Sequence, residues 1–167
     1  SLSEETLKKI KTNLGMNLIH IHVSESQLDE LDSKNQYHES VIERLNRHGL
    51  LMENSLLIHC VHISEKDMDI IKSKNCKVVV NLTSNMNNAV GLPDIMKMKE
   101  KGICVLVGND GLGSSIVNEF QAIYYLMHHQ TNSPTTFSLN DLLDIMENNY
   151  KYASQLFEVK LGRIDVK

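Results

Sequence analysis

Short runs of aliphatic and β-branched residues alternate along this chain with longer amphipathic stretches, and that alternation leaves few folds open. Strands with apolar residues on successive positions must be covered on their faces, which helical crossovers between parallel strands accomplish. Leu2 to Asn13 reads as a helix capped by Ser3 and stopped by Gly15, and Asn17 to Val23 reads as the first strand. Tyr37 to His48 sets Val41, Ile42 and Leu45 on one helical face and ends at Gly49, after which Leu56 to Val61 forms a second strand. Ser64 and Asp67 make a capping-box start to a helix containing Met68, Ile70 and Ile71, and Lys77 to Asn81 is the third strand. Pro93 stands near the start of a short helix through Met96 and Met98 that closes at Gly102, and Ile103 to Val107 is the fourth strand. Two helices, about Ser115 to His129 and about Leu139 to Phe157, complete the pattern. The expected class is α/β, with parallel βα units and right-handed connections; a doubly wound sheet and part of a β/α barrel both satisfy it.

Composition narrows the partners. With 167 residues and 41% apolar content, the chain can bury one core, so a single domain over 1–167 is expected. Its 17 Lys and Arg are interspersed with 21 Asp and Glu for a net charge of −4, which leaves no basic stripe for a phosphate backbone and argues against nucleic acid. No apolar run approaches the ~20 residues that span a bilayer, and Ser1 to Glu5 lacks the order of a signal peptide; a cytoplasmic chain without a membrane partner is expected. Cys60, Cys76 and Cys104 form no Cys-x-x-Cys pair and sit in or beside apolar runs, so reduced, buried thiols are expected, and Cys60 beside His59 reads as packing rather than as a nucleophile.

In either architecture ligands bind at the carboxyl ends of parallel strands, and polar residues stand there on every strand. The first ends His20-Ile21-His22-Val23-Ser24-Glu25, the second carries His59 and His62, the third runs from Asn81 into Thr83-Ser84-Asn85, and the fourth ends Gly108-Asn109-Asp110-Gly111. Imidazole nitrogens with a carboxylate oxygen are what a catalytic divalent metal prefers, with one position left for water. His59 reads as equivalent to His22 on the neighbouring strand, which strengthens both. Each residue has a plainer reading too: one of His20 and His22 fills space, Asp110 is a turn residue, and His38, His48, His128 and His129 are solvated on helices or their ends. Gly111 to Ser115 follows a strand and opens a helix as phosphate loops do, but it has Ile116 where a third glycine is wanted and no Gly-Lys-Ser/Thr ending.

Taken in order, His22-x-x-Glu25, Ile58-His59-Cys60-Val61-His62, Ser84 to Gly91 and Gly108-Asn109-Asp110-Gly111 resemble the second half of the metal-dependent amidohydrolase superfamily. The resemblance runs over about residues 17 to 115 and is to the aminohydrolase and chlorohydrolase branch, within it most to the aminohydrolases called SsnA; Leu161-Gly162-Arg163-Ile164 is similar to the stretch where that family leaves its barrel. It implies a TIM-barrel-type fold in which His22 is the fifth-strand metal ligand and Glu25 shuttles protons to a ring nitrogen. His59 would contact the metal or the attacking water, and Asp110 would ligate the metal and take the water's proton. The implied reaction is attack of metal-activated water on an amidine-like carbon of a small heterocyclic substrate, with loss of ammonia, the metal being a divalent ion, zinc ahead of iron. Asn85 would fix a loop. Leu82 departs from the proline common after Asn81 in relatives, and the first-strand His-x-His pair has no counterpart upstream of Asn17. The expectation is therefore strands five to eight of a barrel, inactive in isolation and homodimeric through its exposed edges, with a non-enzymatic structural fragment or a phosphate-binding doubly wound domain as the alternatives.

Overall fold

A computed structural model describes residues 2–113 and 115–162. The elements run α1 (Glu4–Leu14), β1 (His20–Val23), α2 (Gln27–Tyr37), α3 (Val41–Arg47), β2 (Leu56–His59), α4 (Glu65–Ser73), β3 (Lys77–Val80), α5 (Leu82–Asn87), α6 (Ile95–Glu100), β4 (Cys104–Val107), α7 (Ile116–Thr131) and α8 (Leu139–Phe157). The sheet has the order β1-β2-β3-β4, with β1 and β3 both parallel to β2. This is the α/β architecture that the alternation predicts.

Helix starts follow local chemistry. Ser26, Ser40, Ser64 and Ser138 each accept from a backbone amide in the first turn while Asp29, Glu43, Asp67 and Asp141 reach back, so four helices begin with complete capping boxes. Two helices lie outside the sequence expectation. In α2 the aliphatic Leu28 and Leu31 are exposed while Glu30 and Ser33 are buried, so apolar periodicity carries no signal there. The polar stretch after the third strand is helical as α5. The strands are shorter than their apolar runs: β1 and β4 start later than expected, and β2 ends at His59, where His59 and Cys60 turn through positive φ.

The described residues fall into two compact units, the first drawn from Ser1–Val80 and Asn85–Val105, the second from Asn81–Ser84 and Leu106–Lys167. In the first, Leu57, Ile58, Val78 and Val80 of the sheet and Ile42, Ile71 and Met98 of the helices are buried together with Leu7 of α1. In the second, Phe120, Ile123 and Met127 of α7, Phe137 of the connection before α8 and Ile145 of α8 are buried, and the Asn149 amide donates to the Val107 carbonyl and accepts from its N–H at 2.7 and 2.9 Å. That amide satisfies backbone of β4 as another strand would. Arg163 and Ile164 of the C-terminal motif, and Ser114, lie outside the described residues. Among the described residues no helix is long and apolar enough to cross a membrane.

Candidate active site

The ends of β1 and β2 are laced together. The Cys60 N–H donates to the Val23 carbonyl at 2.9 Å and the His62 N–H to the Ser24 carbonyl at 3.0 Å. Both segments turn through left-handed backbone, Ser24 at φ 49°, His59 at 71° and Cys60 at 49°. A non-glycine residue held there stores strain of about 1–3 kcal/mol, which the surrounding hydrogen bonds must offset. The register corrects one expectation: His22 pairs with Ile58, and it is Val23 that stands opposite His59. Regular pleating would thus put the two imidazoles on different faces. The positive φ at His59 breaks the alternation, and the rings lie with centroids 5.4 Å apart.

His59 is 1% exposed, and its Nδ1 stands 2.8 Å from Asn85 Oδ1. An amide oxygen only accepts, so Nδ1 carries a proton and donates. The ring's Nε2 faces Glu25 Oε2 at 3.5 Å, while Asn88 Nδ2 donates to the other Glu25 oxygen at 3.3 Å. Asn85, expected to fix a loop, bonds the His59 imidazole from 26 positions away. His62 Nε2 donates to the Val90 carbonyl at 2.7 Å, tying the following segment down beside Gly91, whose φ is 102°. A cavity of about 380 Å³ opens along β1, reached by His22, Ser24 and Glu25 and walled by Leu7, Val41 and Arg44.

Asp110 lies in the second unit. Its Oδ2 accepts the Ser84 hydroxyl at 2.8 Å and its Oδ1 the Gly111 N–H at 2.7 Å, with φ 49°. The second bond is the local turn that Asp favours, and the first fixes the carboxylate from a buried partner. Glu119, buried in α7, accepts from the Thr83 N–H at 3.2 Å and so anchors the segment bearing Ser84. Ser115 caps α7 without a side-chain hydrogen bond, and Gly111 and Gly113 have open space where a Cβ would stand, so the glycine-rich stretch shows no cradle.

Two histidines expected in solvent are built in. His48 keeps a side chain 7% exposed and bonds Glu4 Oε2 at 2.8 Å, and His128 bonds the Phe137 carbonyl at 2.7 Å, since each helix end folds back against a neighbouring segment. Cys60 and Cys76 are buried as expected; burial pushes the Cys60 thiol far up, with Asp67 adding to it, and raises Cys76 to about 11. Neither is a nucleophile at neutral pH.

Within the first unit the donor chemistry suits a divalent ion in kind: His22 and His59 carry imidazoles and Glu25 a carboxylate, and Asn85 holds the His59 ring by Nδ1, as the hydrogen-bond partner of a metal histidine does. Among the described residues no group of three or more His, Cys, Asp or Glu side chains stands close enough to hold the ion by itself.

Comparison with known proteins gives a concordant result. The amidohydrolase family profile matches residues 2–166. A 5-methylthioadenosine/S-adenosylhomocysteine deaminase of Desulforamulus reducens is 35% identical over 128 residues, covering 74% of this chain and 29% of that protein. Among solved structures, the guanine deaminase of C. acetobutylicum with bound guanine superposes with a TM-score of 0.78 at 22% identity, over 94% of this chain and 40% of the other. An adenosine deaminase of Xanthomonas campestris with bound zinc gives 0.77 at 19%, over 86% and 34%. The chain spans between 25% and 39% of the length of the curated relatives it matches.

Proposed function

Because the chain belongs to the amidohydrolase family, we propose that it carries part of the active site of a metal-dependent aminohydrolase that releases ammonia from a small nitrogen heterocycle, an adenosine derivative being favoured by the relatives at 30% identity and above. In this reading the chain corresponds to strands five to eight of the barrel, and His22, His59 and Asp110 are the metal ligands, zinc being the metal expected. The observation that carries it is the His59 arrangement: a buried imidazole, proton fixed on Nδ1 by Asn85, with Nε2 turned toward Glu25.

A bound divalent ion supplies Lewis acidity and makes water a stronger acid near neutral pH. The chain's own groups do the rest. Glu25, 31% exposed and beside the cavity, can hold a proton and deliver it to a ring nitrogen of the substrate. Its partner Asn88 donates to one oxygen, which leaves the other to face His59. His59, with Nδ1 bonded to Asn85, would hold the metal through Nε2, and Asp110, held by Ser84, accepts a proton.

The deciding experiment is zinc content of the purified protein beside a His22→Ala, Asp110→Ala double variant, paired with ammonia release from 5′-methylthioadenosine. Near-stoichiometric metal lost in the variant supports the assignment; metal retained at the same stoichiometry removes these residues from the ligand set. The same reading includes self-association through the outer edge of β1.

A further inference from the structure

The carboxylate of Glu30 is an odd feature for a helix such as α2. It is 4% exposed, its Oε2 accepts no hydrogen bond among the described residues, and Lys34, itself 57% exposed at the side chain, stands 3.7 Å away. Burying a carboxylate with so little compensation is costly, and an apolar side chain would pack there without that cost. What an apolar residue cannot do is accept hydrogen bonds. Glu30 Oε1 takes the hydroxyl of Ser24 at 2.6 Å and the N–H of Val41, at the start of α3, at 3.4 Å.

Ser24 is the residue at which the chain leaves β1 in a left-handed conformation, φ 49°, immediately before Glu25. Its carbonyl is already taken by the His62 N–H, which fixes the turn from the β2 side. The Glu30 bond fixes it from the helix side. With both in place the backbone between His22 and Glu25 has little freedom, and the Glu25 carboxylate is presented to His59 Nε2.

We propose that Glu30 is a positioning residue for Glu25 and His59, acting through the Ser24 hydroxyl. The proposal rests on the reading of Glu25 and His59 as site residues, but its test needs neither metal nor substrate. The imidazole nitrogen resonances of His59 are recorded by long-range 1H–15N NMR at one fixed pH for the protein and for Ser24→Ala, Glu30→Leu and Glu30→Gln, with urea denaturation of each. Ser24→Ala and Glu30→Leu should both move the His59 Nε2 resonance and weaken the Glu25 contact, while His48 and His128, anchored elsewhere, keep their positions. Glu30→Gln, which retains an amide oxygen as acceptor, should restore the unaltered His59 signature even if it changes stability. If His59 is unmoved in Ser24→Ala, or if Glu30→Gln behaves as Glu30→Leu does, the proposal is overturned. Should Glu30→Leu not fold, Ser24→Ala decides alone, since it removes the same bond without altering buried charge. A metal or ammonia assay that fails while the His59 shifts appear as expected would count against the hydrolase reading and leave the positioning role standing.

Discussion

At the residue scale the pair His59 and Asn85 sets the character of the site. The imidazole proton at Nδ1 has its acceptor in a side chain that is fully buried, so truncating that acceptor strands a donor away from water. Asn85→Leu should therefore cost about 1–3 kcal/mol in urea denaturation and release His59 to the other tautomer, visible as an exchange of its two nitrogen resonances. A Leu variant with unchanged stability and tautomer would show that the bond does not matter. Cys60 makes the opposite kind of prediction: with no exposed surface and a thiol pushed well above its ordinary range by burial, it should resist an alkylating reagent at pH 8 in the folded protein and react only on unfolding, as followed by mass spectrometry. Modification of Cys60 under native conditions would show that β2 opens.

At the scale of elements, α1 is tied to α3 by charge as well as by the buried Leu7. Glu4 Oε1 accepts from Arg44 Nε and Nη2 at 3.1 and 2.9 Å, its Oε2 from Arg47 and His48 at 3.0 and 2.8 Å, and Arg44 reaches the Leu2 carbonyl at 2.7 Å with its guanidinium 3.5 Å over the Tyr37 ring. The Arg47 hydrogen bond foremost, then that of His48, hold the Glu4 carboxyl at about 2 against an ordinary 4.5. A depressed carboxylate contributes its stability above the unfolded pKa and loses it as pH falls through the folded one. The stability difference between the protein and Glu4→Gln should be full above pH 4.5 and vanish toward pH 2, measured by denaturation across that range. A difference independent of pH would mean that shape, not charge, docks α1. The segment after α5 depends on geometry instead: at Gly91, φ is 102° and an added Cβ would meet Val61 Cγ1 at 3.3 Å and the His62 ring at 3.6 Å. Gly91→Ala should cost about 1–3 kcal/mol by calorimetry and loosen the His62 bond to Val90.

At the scale of the whole molecule, β1 ends the strand order, with exposed Met16, Leu18, His20 and His22 leading into or along it. An unpaired edge preceded by exposed apolar residues favours association with another strand. Light scattering should therefore give a mass above the 19.0 kDa of one chain, lowered by Met16→Lys with Leu18→Lys; a monodisperse monomer at high concentration would refute self-association. How much of this was legible beforehand differs by kind of information. The order of the strands and of the apolar-faced helices, the Ser64 and Asp67 capping box and the polar residues at strand ends are written within a few residues of where they act, because hydrogen-bonded turns and hydrophobic periods are local. Helix α2 was not read, since its buried face is made of Glu30 and Ser33 and leaves no apolar period. The sequence alone thus determined the α/β class and nominated His22, Glu25, His59 and Asp110. The tertiary structure alone decided the register of β1 on β2, the positive φ that brings the His59 ring beside His22, and the partners Asn85 and Glu30, because those depend on packing between segments distant in the chain and no local pattern encodes them.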